Sequence, residues 1–273
     1  MSDRVTLTLR APLDQPVEAD CIVPDAFATL GETEIAALPF WAGCERRSIG
    51  DHFDVRGGRC SFVTVVGDVR RARGIGMAIT SGELVIEGDA GSGIGATMAG
   101  GRIDVIGSVS NDAGVGMSGG SLRVRKNAGD RVGAATPGAS RGMTGGEIVV
   151  EGSVGVEAGA RMRRGLLYVG GNAGDQVARA MIAGTVIVLR DVGAEPAFAS
   201  KRGSLVVGGA VSVPVTYRYA CAYEPPHVRL ALTYIARRYG LSIPPDMAGG
   251  RYRRYCGDAG TIAKGEILEW IRD

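Results

Sequence analysis

From residue 57 to 209 apolar and polar side chains alternate in short runs, and the runs recur. Six of the eight begin with a small residue followed by Gly, and the other two with Arg followed by Gly. Taking that second residue as an anchor gives Gly58, Gly82, Gly101, Gly120, Gly146, Gly165, Gly184 and Gly203, at steps of 24, 19, 19, 26, 19, 19 and 19. Two and four residues after the anchors stand Cys60/Phe62, Leu84/Ile86, Ile103/Val105, Leu122/Val124, Ile148/Val150, Leu167/Val169, Val186/Val188 and Leu205/Val207, all apolar. The residues between them are mixed. That period of two predicts strands with one buried face. Turn pairs such as Gly88-Asp89, Asn127-Ala128 and Asn172-Ala173 follow the strands, and such residues accept positive φ. Three residues before the anchors stand Val55, Ile79, Met98, Met117, Met143, Met162, Met181 and Ser200. If each unit is one coil, these side chains form an interior ladder, which adaptable Met suits.

Nineteen residues are too few for a helix pair or a βαβ unit but enough for two or three short strands with tight turns. The predicted fold is all-β: a right-handed parallel β-helix of about eight coils, roughly 38 Å long, with small α/β caps at both ends. Residues 1–56 form the N-terminal cap, 57–210 the β-helix and 211–273 the C-terminal cap. The first cap holds a strand at Val5 to Arg10, a turn or helix start at Pro24-Asp25 and a helical run from Glu32 to Leu38. The second holds an amphipathic helix from Val228 to Tyr239, with Val228, Leu232, Ile235 and Tyr239 on one side, and a helix or strand from Ile262 to Ile271. Two insertions, one carrying Arg70, Arg71 and Arg73 and the other Thr136 to Ala139, fall at equivalent places, which predicts loops at one corner of the solenoid.

Composition narrows the class. Forty-four glycines among 273 residues are about double the usual ~7%, and they lie within the alternating region, so they speak for turns and not for disorder. A net charge of +2 argues against a nucleic-acid or membrane partner. Five cysteines with no CxxC pair predict neither a zinc site nor a disulfide framework, and the charged, alternating N-terminus does not resemble a secretory signal. A soluble cytoplasmic protein is expected.

Chemical signals are sparse. The GVGMSG of Gly114 to Gly119 matches GxGxxG but precedes a strand, whereas a dinucleotide site needs a helix there. His52 and His227 stand in no ligand spacing, and no nucleophile motif is present, so neither catalytic nor metal residues are assigned. Arg251, Arg253 and Arg254, interleaved with Tyr252 and Tyr255, read either as an anion contact or as an interface with another protein chain. Arg70, Arg71 and Arg73 carry the same two readings. Three residues after the later anchors, Val149, Tyr168, Ile187 and Val206 form an apolar stripe on the outward side. Such a stripe is a partner-interface candidate unless the C-terminal segment folds over it.

The phrases GMAITSGELVIEG, GATMAGGRIDVIG and GARMRRGLLYVGG, the lead-in EIAALPFWAG, and the late RYRRYCGDAG followed by KGEIL resemble the C subunit of formylmethanofuran dehydrogenase. They are more similar still to its counterpart in the formyltransferase/hydrolase complex of methylotrophic bacteria. The repeat alone is also similar to the C-terminal domain of the glutamate synthase large subunit. The resemblance implies a β-helical, non-catalytic member of a hetero-oligomer. Its implied partners are an amidohydrolase-like hydrolase holding the metal, a formyltransferase and a dehydrogenase-B-like subunit. The implied carriers are of the methanofuran and tetrahydromethanopterin types, with none bound by this chain. The Arg-rich basic set, with Lys only at 126, 201 and 264, favours a GC-rich bacterium and the hydrolase version over the archaeal molybdenum or tungsten enzyme.

Overall fold

The computed structural model describes residues 4–272. The N-terminal segment supplies β1 (Val5–Leu9), β2 (Val17–Glu18), α1 (Pro24–Phe27), α2 (Glu32–Ala36), β3 (Pro39–Ala42), β4 (Glu45–Ser48), α3 (Ile49–His52) and β5 (Phe53–Arg56). The repeat supplies β6 (Phe62–Val66), β7 (Ala72–Arg73), β8 (Glu83–Glu87), β9 (Arg102–Val105), β10 (Ser121–Val124), β11 (Glu147–Val150), β12 (Leu166–Val169), β13 (Thr185–Val188) and β14 (Arg202–Val207). After it come β15 (Arg218–Tyr223), α4 (Pro226–Tyr239), α5 (Pro245–Gly249), β16 (Tyr252–Cys256) and β17 (Lys264–Trp270). The protein is therefore mostly strand, with a few short helices.

A mixed sheet of thirteen strands dominates, in the order β15-β16-β17-β14-β13-β12-β11-β10-β9-β8-β6-β1-β5. From β1 to β17 every neighbouring pair is parallel. At one end β5 lies antiparallel to β1, and at the other β16 and β15 add antiparallel strands. A smaller sheet, β4-β3-β2-β7, covers part of the N-terminal region.

The predicted inward positions hold from the second unit onward. Leu84, Ile86, Ile103, Val105, Leu122, Val124 and their later equivalents through Leu205 and Val207 are fully buried. So are the ladder side chains Ile79, Met98, Met117, Met143 and Met162, with Met181 and Ser200 at 1% exposure. After the sheet strand, single residues form two runs of parallel bridges between units, Val69–Ala90–Val109–Ala128 and Val154–Ala173–Val192. Next comes a corner in which alternate residues have positive φ, such as Gly93, Gly95 and Thr97. Their N–H groups donate alternately to the units on either side: Gly93 to the Asn111 carbonyl, Gly95 back to Ile75, Thr97 forward to Val115. Backbone groups of this corner thereby find partners in the units on both sides.

Three expectations are corrected. In the first unit Phe62 pairs with Glu83 and is 47% exposed, whereas Val63 and Val65 point inward. Ser61 thus takes the place of Gly58, and Cys60 is not an inward ladder residue. The rhythm also does not stop after Gly209. β17 pairs parallel with β14, Gly265 lies opposite Gly203, and buried Ile267 continues the inward column. Finally, the two insertions are not equivalent. The first follows Val69, where β7 pairs with β2, and the second spans 135–141, beyond the alternating corner at Ala134.

Candidate functional site

The outward side of the long sheet changes character along its length. Early rungs present Thr64, Val85, Asp104 and Arg123; later ones present Val149, Tyr168, Ile187 and Val206. An apolar face this long cannot stay in water without loss, and a helix covers it. Fourteen-residue α4 begins with Pro at its first turn and ends at Gly240, whose left-handed φ of 67° terminates it. Its sequence puts Val228, Leu232, Ile235 and Tyr239 on one stripe, and all four are buried against Val149, Tyr168, Ile187 and Val206 together with Met247, Tyr252 and Leu268. The four stripe residues are accordingly not available to a partner. The alternative expectation, closure by the C-terminal segment, describes the molecule.

Two carboxylates fix this cover. Glu147, on β11, accepts hydrogen bonds from Tyr234 Oη (2.8 Å), Arg238 Nε (2.6 Å) and Tyr239 Oη (2.7 Å). Burial, then the bond to Glu147, raises the Tyr239 phenol above its ordinary range. Arg123 donates to Glu151 at 2.8 Å and to the Tyr239 carbonyl at 3.1 Å, closing the last turn of α4. At the other end Glu266 accepts from Ser204 Oγ (2.5 Å) and Arg254 Nε (2.7 Å), with His227 Nε2 3.6 Å away. Burial, with the Glu151 charge adding to it, pushes the Tyr168 phenol up to about 12.

Each arginine trio is divided: Arg70 and Arg71 line one concavity of about 700 Å³ together with Asp14 and Asp68, apart from Arg73, and the later three point different ways. Strand alternation splits the later trio: Arg254 faces Glu266, whereas Arg253 and Tyr255 both donate to Glu269, at 3.3 and 3.0 Å. Arg251 is exposed and lines a separate concavity of about 500 Å³ with Glu224, Asp246 and Trp270. In the earlier trio Arg70 Nε bonds to Asp68 at 2.9 Å, Arg71 donates to the Asp14 carbonyl, and Arg73 stands 3.8 Å from Glu18. The glycine phrase likewise offers no open cradle, since Gly114 and Gly116 donate to Ile94 and Ala134 of adjoining units. His52 rests on the Phe40 ring at 4.9 Å, and Asp51 accepts from the Ser48 N–H. Among the described residues no group of three or more His, Cys, Asp or Glu is placed to hold a metal.

No family model matches the sequence. Curated relatives do. The C subunit of molybdenum-containing formylmethanofuran dehydrogenase 1 from Methanosarcina barkeri is 36% identical over 92 residues, 32% of this chain and 31% of that protein. The Methanothermobacter marburgensis counterpart is 37% identical over 78 residues, 28% of this chain and 20% of that protein. The C subunit of tungsten-containing formylmethanofuran dehydrogenase 2 from Methanococcus maripaludis is 30% identical over 91 residues, 33% of this chain and 34% of that protein. The matched segments thus span about a third or less of these relatives. A solved structure extends the likeness to full length. It is the crystal structure of the formyltransferase/hydrolase complex (FhcABCD) from Methylorubrum extorquens in complex with methylofuran. One of its chains is 32% identical, with a TM-score of 0.91, over 98% of this chain and 100% of that one.

The chain belongs to the family of formylmethanofuran dehydrogenase C subunits.

Within this C-subunit fold the features that secure α4 were the ones missed in sequence. Glu147 stands one residue after an anchor, where the other units carry Arg59, Glu83, Arg102, Ser121, Leu166, Thr185 and Ser204, so nothing local marks it. The nearest signal is the aromatic and basic content of Tyr234, Arg238 and Tyr239 at the end of a helix that lacks Asp and Glu.

Proposed function

We propose that this chain is the structural, non-catalytic subunit of a cytoplasmic complex. That complex transfers a formyl group from formyl-tetrahydromethanopterin to methanofuran or an analogue and hydrolyses it to formate. The observation that carries the reading is the full-length likeness to a chain of the formyltransferase/hydrolase complex. Its partners are an amidohydrolase-like hydrolase with the metal, a formyltransferase and a dehydrogenase-B-like subunit. The methanofuran-type and tetrahydromethanopterin-type carriers act on those subunits. The repeating units are coils of a right-handed parallel β-helix, a reading supported by parallel pairing from β8 to β14 at 19-residue steps, except for the insertion between β10 and β11. A long, stiff body of this kind gives several partners separate places to attach.

A second reading, the C subunit of a molybdenum or tungsten formylmethanofuran dehydrogenase, is favoured by the names of the curated relatives, but over a shorter match. Affinity purification of the chain from its host, followed by subunit identification and a formyl-hydrolysis assay, separates the two. Co-purification of a formyltransferase and formate release support the first reading. A bound molybdenum or tungsten subunit supports the second. A monodisperse monomer that hydrolyses formylmethanofuran by itself would overturn both.

A further inference from the structure

The side of α4 turned away from the sheet carries two exposed apolar side chains among basic ones. Leu230 is 70% exposed and Tyr234, one turn on, is 45% exposed. With Thr233, Arg237 and Arg238 they line an open concavity of about 600 Å³. Single exposed apolar residues are ordinary, but a pair at i and i+4 on one helix makes a continuous patch. The charges beside it are one-sided. α4 contains no Asp or Glu. Glu147, the carboxylate bonded to Tyr234, is 11% exposed and already engaged by Tyr239 and Arg238 as well. Arg237 is exposed at the end of the patch and takes part in no salt bridge among the described residues.

We propose that this face, centred on Leu230 and Tyr234 with Arg237 at its end, seats an acidic amphipathic segment of another subunit. The proposal rests on the function proposed above. Apolar side chains of the segment lie in the concavity over Leu230 and Tyr234, and a carboxylate meets Arg237. A second copy of this chain is the poorer occupant, since α4 carries Arg229, Arg237 and Arg238 and no carboxylate, so a two-fold contact would bring basic side chains together with no acid of the helix to pair them. Area argues the same way. A 14-residue helix is about 21 Å long and some 10 Å wide, so one face offers on the order of 200 Å², against about 800 Å² per partner in a stable interface. The patch is an anchor point within a larger contact and not a dimer interface of its own.

The test uses the complex purified from its host. A photo-crosslinking residue, p-benzoylphenylalanine, replaces Leu230, and a second variant carries it at Phe198, which is 43% exposed. The expected result is a cross-link from position 230 to another subunit, in a peptide with Asp or Glu beside apolar residues. The double variant Leu230→Asp/Arg237→Glu, with the melting temperature of the isolated chain unchanged, is expected to bind the remaining subunits at least tenfold more weakly. A cross-link from 230 only to a second copy would overturn the proposal. So would unaltered assembly of the double variant, or binding to phosphatidylcholine/phosphatidylserine vesicles that Arg237→Glu abolishes. Capture of subunits from Phe198 but not from Leu230 defeats the patch and leaves the proposed function standing. Failure of the chain to co-purify with any subunit defeats both.

Discussion

From Gly120 to Gly203 the glycine that opens each unit is tied to the methionine of the unit before it. A Cβ on Gly120 would lie 2.6 Å from Met98 Cε, one on Gly146 2.7 Å from Met117 Cε, and one on Gly165 2.7 Å from Met143 Cε. The missing side chain is the space that the methyl fills. Met117→Ala is expected to cost about 2–5 kcal/mol, because Met117 is fully buried and no neighbour can refill a close-packed column. Gly146→Ala should also destabilise, and Met117→Ala should rescue it only in part. The same Cβ would meet the Gly120 carbonyl oxygen at 2.7 Å, and φ is +82°. Urea denaturation of the two single variants and the double measures both effects. The alternating corner holds the opposite case. Ala180 adopts φ 51° although it is not Gly, so Ala180→Gly should be neutral to about 1 kcal/mol stabilising, the relief of left-handed strain offset by added chain entropy.

α4 is held by few contacts of high consequence. Glu147→Ala removes the acceptor for three donors, one of them the buried Tyr239 hydroxyl, and should cost about 2–3 kcal/mol. Arg238 is half-exposed and can turn to water, which keeps the figure at that level. Hydrogen–deuterium exchange should show α4 loosening before the sheet does. At the opposite end Asp25, just inside α1, accepts from the N–H and hydroxyl groups of Thr80 and Ser81. Burial alone would raise its carboxyl, but these hydrogen bonds outweigh burial and hold it below the usual range. A depressed native value means stability present above the unfolded pKa of about 3.9 and lost as pH falls through the native one. Asp25→Asn should therefore shrink the loss of stability between pH 5 and pH 3. Much of this was legible beforehand. A period of two placed Leu84 and Ile86 in the core, and helical spacing placed Val228, Leu232, Ile235 and Tyr239 on one stripe. Sequence could not show where the strand of residues 264–270 docks, because its partner β14 is more than fifty residues earlier. Nor could it show the split of Arg253 from Arg254, which depends on that docking.

The sheet has two ends, and each is finished by chain from outside the regular repeat: β1 and β5 at one, β17, β16 and β15 at the other. Asp258, 2% exposed, accepts from the Ala199 and Gly260 N–H groups beside the last corner. Removing residues 211–273 would uncover β14 along an edge and Val149, Tyr168, Ile187 and Val206 along a face. Such a truncation should aggregate on expression, as size-exclusion chromatography would show, because an open edge beside apolar surface invites pairing with other chains. The late position of β17 also has a consequence in time. A ribosome makes the repeat from its β6 end toward β14, so units can add in the order in which they emerge. The rung that covers β14 is not available until residue 270 has left the exit tunnel. Until then the nascent chain carries a live growing edge, which closure of that last rung removes.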